Sequence, residues 1–203
     1  MNEHGVPQQI ENPFATRHVR PGALPYLFSA GENTDELVKR LRNNGWWGQI
    51  IGPHGSGKSA LLASLAPAIE RAGRKTFLVE LHDRQRRLPS GFHAGARTND
   101  PLVVIVDGYE QLGRLQRFRL KRFCRRGGLG LLASAHKAAG LPELFQTSAN
   151  LDVVQQLVER LQAESATKVG AEEVAERFAR HGGNVREILF DLYDLYEARR
   201  RHA

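Results

Sequence analysis

The sequence predicts an α/β architecture: a parallel β-sheet flanked by helices, followed by a small C-terminal all-helical unit. Three observations predict it. An apolar run at 46–51 leads through a glycine-rich turn into a helical pattern at 60–71. A second run, Leu102-Val103-Val104-Ile105-Val106 closed by Asp107, is continuously apolar, as a strand buried on both faces of a parallel sheet must be. Strand and helix patterns alternate up to Asn150; beyond it only helical patterns remain.

In chain order, residues 1–29 read as an N-terminal arm. They are polar, with Pro7, Pro13 and Pro21 and no clear periodicity, and 25–29 form at most a short extended piece. Residues 30–150 form the α/β domain. Asn33 opens its first helix, with Glu36 three residues on as a capping box, Leu37 and Leu41 as the buried stripe and Gly45 as the stop. The helix after the glycine turn buries Leu61, Leu62, Leu65 and Ile69, and Pro67 is expected to bend or weaken it. A strand follows at 76–81. The pattern is lost over 83–99, which reads as a surface loop. After the 102–107 strand, a helix at 110–125 is expected to turn Leu112, Leu115 and Phe118 inward. Further strands are expected at 130–134 and, briefly, 144–147. Residues 151–203 form the helical unit. Its apolar faces are Val154, Leu157, Val158 and Leu161; Val174 and Phe178; and Ile188, Leu189, Leu192 and Leu195.

The chain has 203 residues, 41% of them hydrophobic, which is enough for a packed core. No apolar run reaches the ~20 residues that cross a bilayer, and the first residues lack the basic start and apolar stretch of a signal peptide. Cys124 is the single cysteine. These features set the expectation of a cytoplasmic protein. The formal charge is +7, and it is uneven. Arg114, Arg117, Arg119, Lys121, Arg122, Arg125 and Arg126 crowd a segment without an acid, with smaller clusters at Arg84, Arg86 and Arg87 and at Arg199 to Arg201. Such a segment suits a nucleic-acid partner or is a solvated basic face; composition bears on partners, not on fold.

The glycine turn reads Gly52-Pro53-His54-Gly55-Ser56-Gly57-Lys58-Ser59, followed by Ala60. Its spacing is that of a P-loop, and it lies between a strand and a helix. Backbone N–H groups of such a loop cradle phosphates, aided by the positive end of the helix that follows. Lys58 then reaches the outer phosphates and the Ser59 hydroxyl ligates Mg²⁺. Residues 52–60 therefore predict binding of a nucleoside triphosphate such as ATP. Asp107 ends its strand at the edge where ligands of α/β sheets bind, which places it beside the loop as support for Mg²⁺.

Hydrolysis also needs a group that orients water. Gly108 follows Asp107, so the nearest acid is Glu110. It either reaches the water after a turn at Gly108 or is a carboxylate stabilised at a helix N-terminus. Ser134 and His136, two residues apart at the end of the next strand, face the same way. They either meet the terminal phosphate and water or are a small core residue and a loop histidine. Gly182-Gly183-Asn184-Val185-Arg186-Glu187 joins two helices of the C-terminal unit, with Asn184 and Glu187 as a second capping box. Arg186, in the first turn, is placed to pair with a triphosphate between the two units.

Over roughly residues 30–200 the sequence resembles an AAA+ or STAND-type P-loop ATPase with a helical lid. The residues that carry the resemblance are the P-loop, Asp107, the polar strand end at Ser134 to His136 and the Gly-Asn-Val-Arg of the lid. The resemblance implies that Arg186 is a sensor-2 arginine contacting the γ-phosphate, and that Ser134 or His136 is sensor 1. It also implies a neighbouring subunit or protein partner supplying an arginine finger, for which Arg114 to Arg126 offer candidates. Asp-Gly-x-Glu is closer to the STAND pattern than to the Asp-Glu of unfoldases. The function expected is an ATPase switch: ATP closes the lid and hydrolysis reopens it. Two alternatives accompany it, a nucleic-acid-associated loader using the basic 114–126 helix and an ATP-binding scaffold with little hydrolysis.

Overall fold

The apolar runs form five strands: β1 (Trp47–Ile51), β2 (Lys75–Glu80), β3 (Leu102–Asp107), β4 (Gly130–Ala135) and β5 (Glu143–Gln146). In the computed structural model, which describes residues 11–28, 31–82, 84–96, 100–165 and 167–202, they make one parallel sheet in the order β2-β3-β4-β1-β5. The register pairs Val106 with Ala133 and Ile51 with Ala135. The carboxyl ends of β1, β3 and β4 therefore finish together, at the edge where Gly52, Asp107 and His136 leave the sheet.

Alternation along the central strands divides the core into two layers. Ile50, Val103, Ile105 and Leu132 meet α2 (Thr34–Asn43) and α3 (Lys58–Arg71) through Leu37, Leu41, Leu61, Leu65 and Ile69. Val104, Val106, Leu131 and Ala133 meet α4 (Phe92–Gly95) and α5 (Arg114–Arg126) through Phe92, Leu120 and Cys124. Asn33 caps α2 by accepting from Glu36 N at 2.9 Å. The α3 helix runs through Pro67 without interruption.

Two expectations are corrected here. The 83–99 stretch is not wholly loop, since α4 buries Phe92 and the Ala96 that follows it is buried too; Asp83, Arg97, Thr98 and Asn99 lie outside the described residues. Residues 25–28 belong to no strand of the sheet, and Ser29 lies outside the described residues. The second concerns α5. Residues Tyr109–Gln111 form a 3₁₀ turn, Gly113 is extended at ψ 155°, and the helix starts only at Arg114. Leu112 is buried as expected, but the inward face of α5 is Leu120 and Cys124, while Leu115 and Phe118 are 59% and 60% exposed.

The C-terminal helical unit, the candidate lid, comprises α6 (Leu151–Leu161), α7 (Ala171–Arg180) and α8 (Val185–His202) around Val154, Val158, Val174, Ile188, Leu189, Leu192 and Tyr196. The N-terminal segment joins this core. It contains the one-turn helix α1 (Thr16–Val19), and Phe14, 1% exposed, packs edge-on to Tyr196 with ring centroids 6.2 Å apart. Asn12 Nδ2 donates to Tyr193 O and to Glu197 Oε1. The chain then crosses to the α/β domain, where Tyr26 N donates to Ser64 Oγ and the Tyr26 ring meets Phe28 and Phe145. This segment is a strap from lid to sheet. No described helix is long and apolar enough to cross a membrane.

Candidate functional site

A cavity of about 850 Å³ opens at the carboxyl edge of the sheet. Its floor is the glycine loop from His54 to Ala60, with Asp107, Glu110, Ser134 and His136 beside it. Its roof is formed by the N-terminal strap (Val19, Arg20, Leu24) and the lid (Leu157, Arg186, Leu189). Every polar residue expected to act on phosphate, Mg²⁺ or water therefore faces one space. Ser59 and Arg186 line it too. Gly52 and Pro53 face it through Lys58, whose Nζ donates to their carbonyl oxygens at 2.8 and 2.6 Å.

Burial of Lys58 lowers its pKa, and the charges of Glu110 and Asp107 oppose that shift. The ammonium is held by neutral carbonyls rather than by a carboxylate in contact, so it keeps charge to offer an anion. Asp107 Oδ1 accepts from Ser134 Oγ at 2.5 Å, and Ser134 Oγ accepts from Gly108 N at 2.9 Å. Ser134 is thereby a link between neighbouring strand ends rather than inert core.

Gly108 explains why no acid follows Asp107 directly. Its φ is +77°, and a Cβ there would lie 2.6 Å from Leu81 O. The chain can turn there only without a side chain. That turn starts the 3₁₀ segment and carries Glu110 to His136, whose Nε2 lies 2.8 Å from Glu110 Oε1. His136 Nδ1 faces Gly52 O at 3.2 Å and Lys58 Nζ at 3.4 Å. Neutral imidazole can accept from the lysine, and charged imidazole can donate to the carbonyl. Among the described residues Glu110 Oε2 is buried without a hydrogen-bond partner, a state that costs about 1–3 kcal/mol unless a donor is supplied.

The lid touches the loop directly. Val185 N donates to Gly55 O at 3.1 Å. Gly55 has φ +68°, and a Cβ on it would fall 1.8 Å from Asn184 Oδ1. The Gly-Asn-Val-Arg turn is thus seated on the glycine loop, with Arg186 in the first turn of α8 at the cavity wall.

Sequence reasoning named His54 only as part of the glycine loop and missed three contacts. The His54 ring lies on that of His136, centroids 3.7 Å apart. Thr147, buried at the end of β5, shares a 2.7 Å bond with Ser56 Oγ and fixes the loop's interior. Arg117 donates to the carbonyls of Glu110 (2.7 Å) and Leu112 (2.8 Å) and so holds the backbone of the 3₁₀ turn. Of these, only the imidazole of His54 at a variable position of the glycine loop offered a signal.

No protein-family model matches the chain, and no curated protein matches it. Solved structures do. AMPPCP-bound DnaA from Aquifex aeolicus aligns at TM-score 0.56 and 13% identity, covering 82% of this chain and 61% of that one. The S. cerevisiae Hsp104–ADP complex aligns at 0.56 and 15% identity, covering 89% and 32%. NtrX from Brucella abortus in complex with ATP aligns at 0.55 and 14% identity, covering 85% and 50%. The chain has an AAA+ ATPase-like fold. At these identities the likeness is one of fold, and the chain spans 61% of the length of the DnaA structure. Within the AAA+ fold, the cavity between glycine loop and lid is the candidate nucleotide site.

Proposed function

We propose that the chain is an ATP-dependent conformational switch that hydrolyses ATP slowly with Mg²⁺. The observation that carries this reading is the direct seating of the lid on the glycine loop, Val185 N on Gly55 O at 3.1 Å. Phosphates entering the loop meet Lys58 from below and Arg186 from the lid, so their charge is differentially stabilised when the lid is closed. The apolar roof of Val19, Leu24, Leu157 and Leu189 suits the face of a purine.

The residues present fit Mg²⁺. A magnesium ion at a triphosphate takes only one or two protein oxygens, the rest being phosphate and water, and Ser59 and Asp107 supply them. Bound there, the ion neutralises charge developing on the phosphates. Glu110 lines the cavity, and its Oε2, without a partner among the described residues, is the acceptor for the proton of the attacking water. As the new oxygen–phosphorus bond forms, the bond from the γ-phosphorus to the bridging oxygen breaks and the proton passes to Glu110. His136 fixes the other carboxylate oxygen, and Ser134 keeps Asp107 turned to the site.

Glu110→Gln keeps the shape but removes the base. It is expected to lower phosphate release by about 100-fold or more with ATP binding retained. A second reading, an ATP-binding scaffold, is favoured by the His136–Glu110 contact at 2.8 Å, which occupies the candidate base. Equal, negligible release from wild type and Glu110→Gln would establish that reading instead.

Arg186→Ala should leave ATP bound but remove the ATP-dependent closure. A fluorophore pair across α3 and α8 should show an ATP-induced change in wild type that is lost in the variant. A change of equal size in both would exclude Arg186 from closure.

A further inference from the structure

The outward face of α5 is used by nothing in the nucleotide site. Arg114, Arg119, Arg122, Arg125 and Arg126 are exposed on it around Leu115 and Phe118. The helix has no acid, and Arg114, Arg119, Arg122 and Arg126 make no ion pair among the described residues. Its one lysine is engaged elsewhere, Lys121 Nζ donating to the carbonyls of Ala139 and Gly140. The free cations are thus all guanidinium forks, which match phosphate geometry. Folding also joins two basic clusters that are apart in sequence. Gly113 N donates to Arg86 O at 3.4 Å, so exposed Arg84, Arg86 and Arg87 stand at the N-terminal end of α5. The strip continues from there along a helix of 13 residues, roughly 20 Å at 1.5 Å per residue.

We propose that this strip binds single-stranded nucleic acid, the arginines taking phosphates and Phe118, flanked by Leu115, stacking against a base. Two large apolar side chains in water, each ringed by cations, gain most from a ligand that offers both negative charge and a flat apolar face. An unpaired strand offers both along its length. A duplex offers phosphates but keeps its base faces stacked inside.

The test is fluorescence anisotropy of labelled oligo(dT) and oligo(U) of about 15 nucleotides against the full chain, over a salt series. Binding should weaken with salt, with a slope near −0.7 for each phosphate contacted. Phe118→Ala should weaken binding about tenfold at a fixed salt while leaving the slope unchanged. The double variant Arg119→Ala/Arg122→Ala should flatten the slope by about 1.4. A duplex of the same length should bind less tightly. The ratio of the two oligomers tells DNA from RNA, and tighter binding of either supports the proposal. Lys58→Ala should bind the strand as wild type does, so failure of the ATP reading leaves this test intact. Absence of salt-dependent binding to both oligomers would overturn the proposal. So would a duplex bound as tightly as the strand with Phe118→Ala unaffected, which would mean charge alone. Polyglutamate competing as well as the oligonucleotide would assign the strip to an acidic protein surface and also overturn it.

Discussion

Lys58→Ala is expected to abolish measurable ATP binding and to bring phosphate release to background. The ammonium is poised on two loop carbonyls, 2.8 and 2.6 Å away, in a partly buried position whose desolvation already lowers its pKa. A triphosphate entering the loop replaces those neutral acceptors with charged ones, and each charge-assisted bond contributes about 1.5–3 kcal/mol. Without the lysine, Asp107 and Glu110 still face the phosphates, and the balance of charge there turns repulsive. The fold should survive, because the side chain caps loop carbonyls rather than filling the core. Titration calorimetry with ATP, with circular dichroism as the control for folding, checks the result. Unchanged hydrolysis by the purified, folded variant would exclude the P-loop as the site of turnover.

The second large effect is on stability. Phe14→Ala is expected to destabilise the lid by about 3–5 kcal/mol, the usual cost of removing a buried phenylalanine. Phe14 is fully enclosed by lid residues and meets Tyr196 edge-on, and its own backbone N–H donates to Asn12 Oδ1 at 3.0 Å. Phe14→Leu should cost much less, since it keeps most of the volume. Hydrogen exchange localises the effect: amides of α6 and α8 should lose protection in Phe14→Ala, while those of β3 and β4 keep theirs. Uniform protection in both units would mean that the strap does not hold the lid.

Those two residues mark the extremes of what the sequence discloses. Lys58 was legible because its motif is contiguous, and the sheet was legible because each buried strand is an unbroken apolar run. Asp107 could be placed because a strand of known direction fixes which end its last residue occupies. Phe14 was illegible: one aromatic among prolines and polar residues has no periodicity, and its partner Tyr196 is distant in the chain. The phase of α5 was misread for a local reason. Leu112 lies before Gly113, whose extended backbone breaks the helical repeat, so counting in threes from Leu112 reached Leu115 and Phe118 and pointed them inward. A helix starting at Arg114 turns Leu120 and Cys124 to the sheet instead. The contacts that complete the site, His54 on His136 and Thr147 on Ser56, depend on the register of β4 and β5 against β1, which no local pattern encodes.

The path of the strap has a mechanical consequence. The lid is joined to the sheet twice, once through residues 147–150 after β5 and once through the chain running from Phe14 to Tyr26. A body held at one point can swivel in any direction; a body held at two swings about the line between them, as a door does on its pair of hinges. In the proposed switch, Arg186 would then travel along an arc set by these two attachments, and closure would bring Val185 over Gly55.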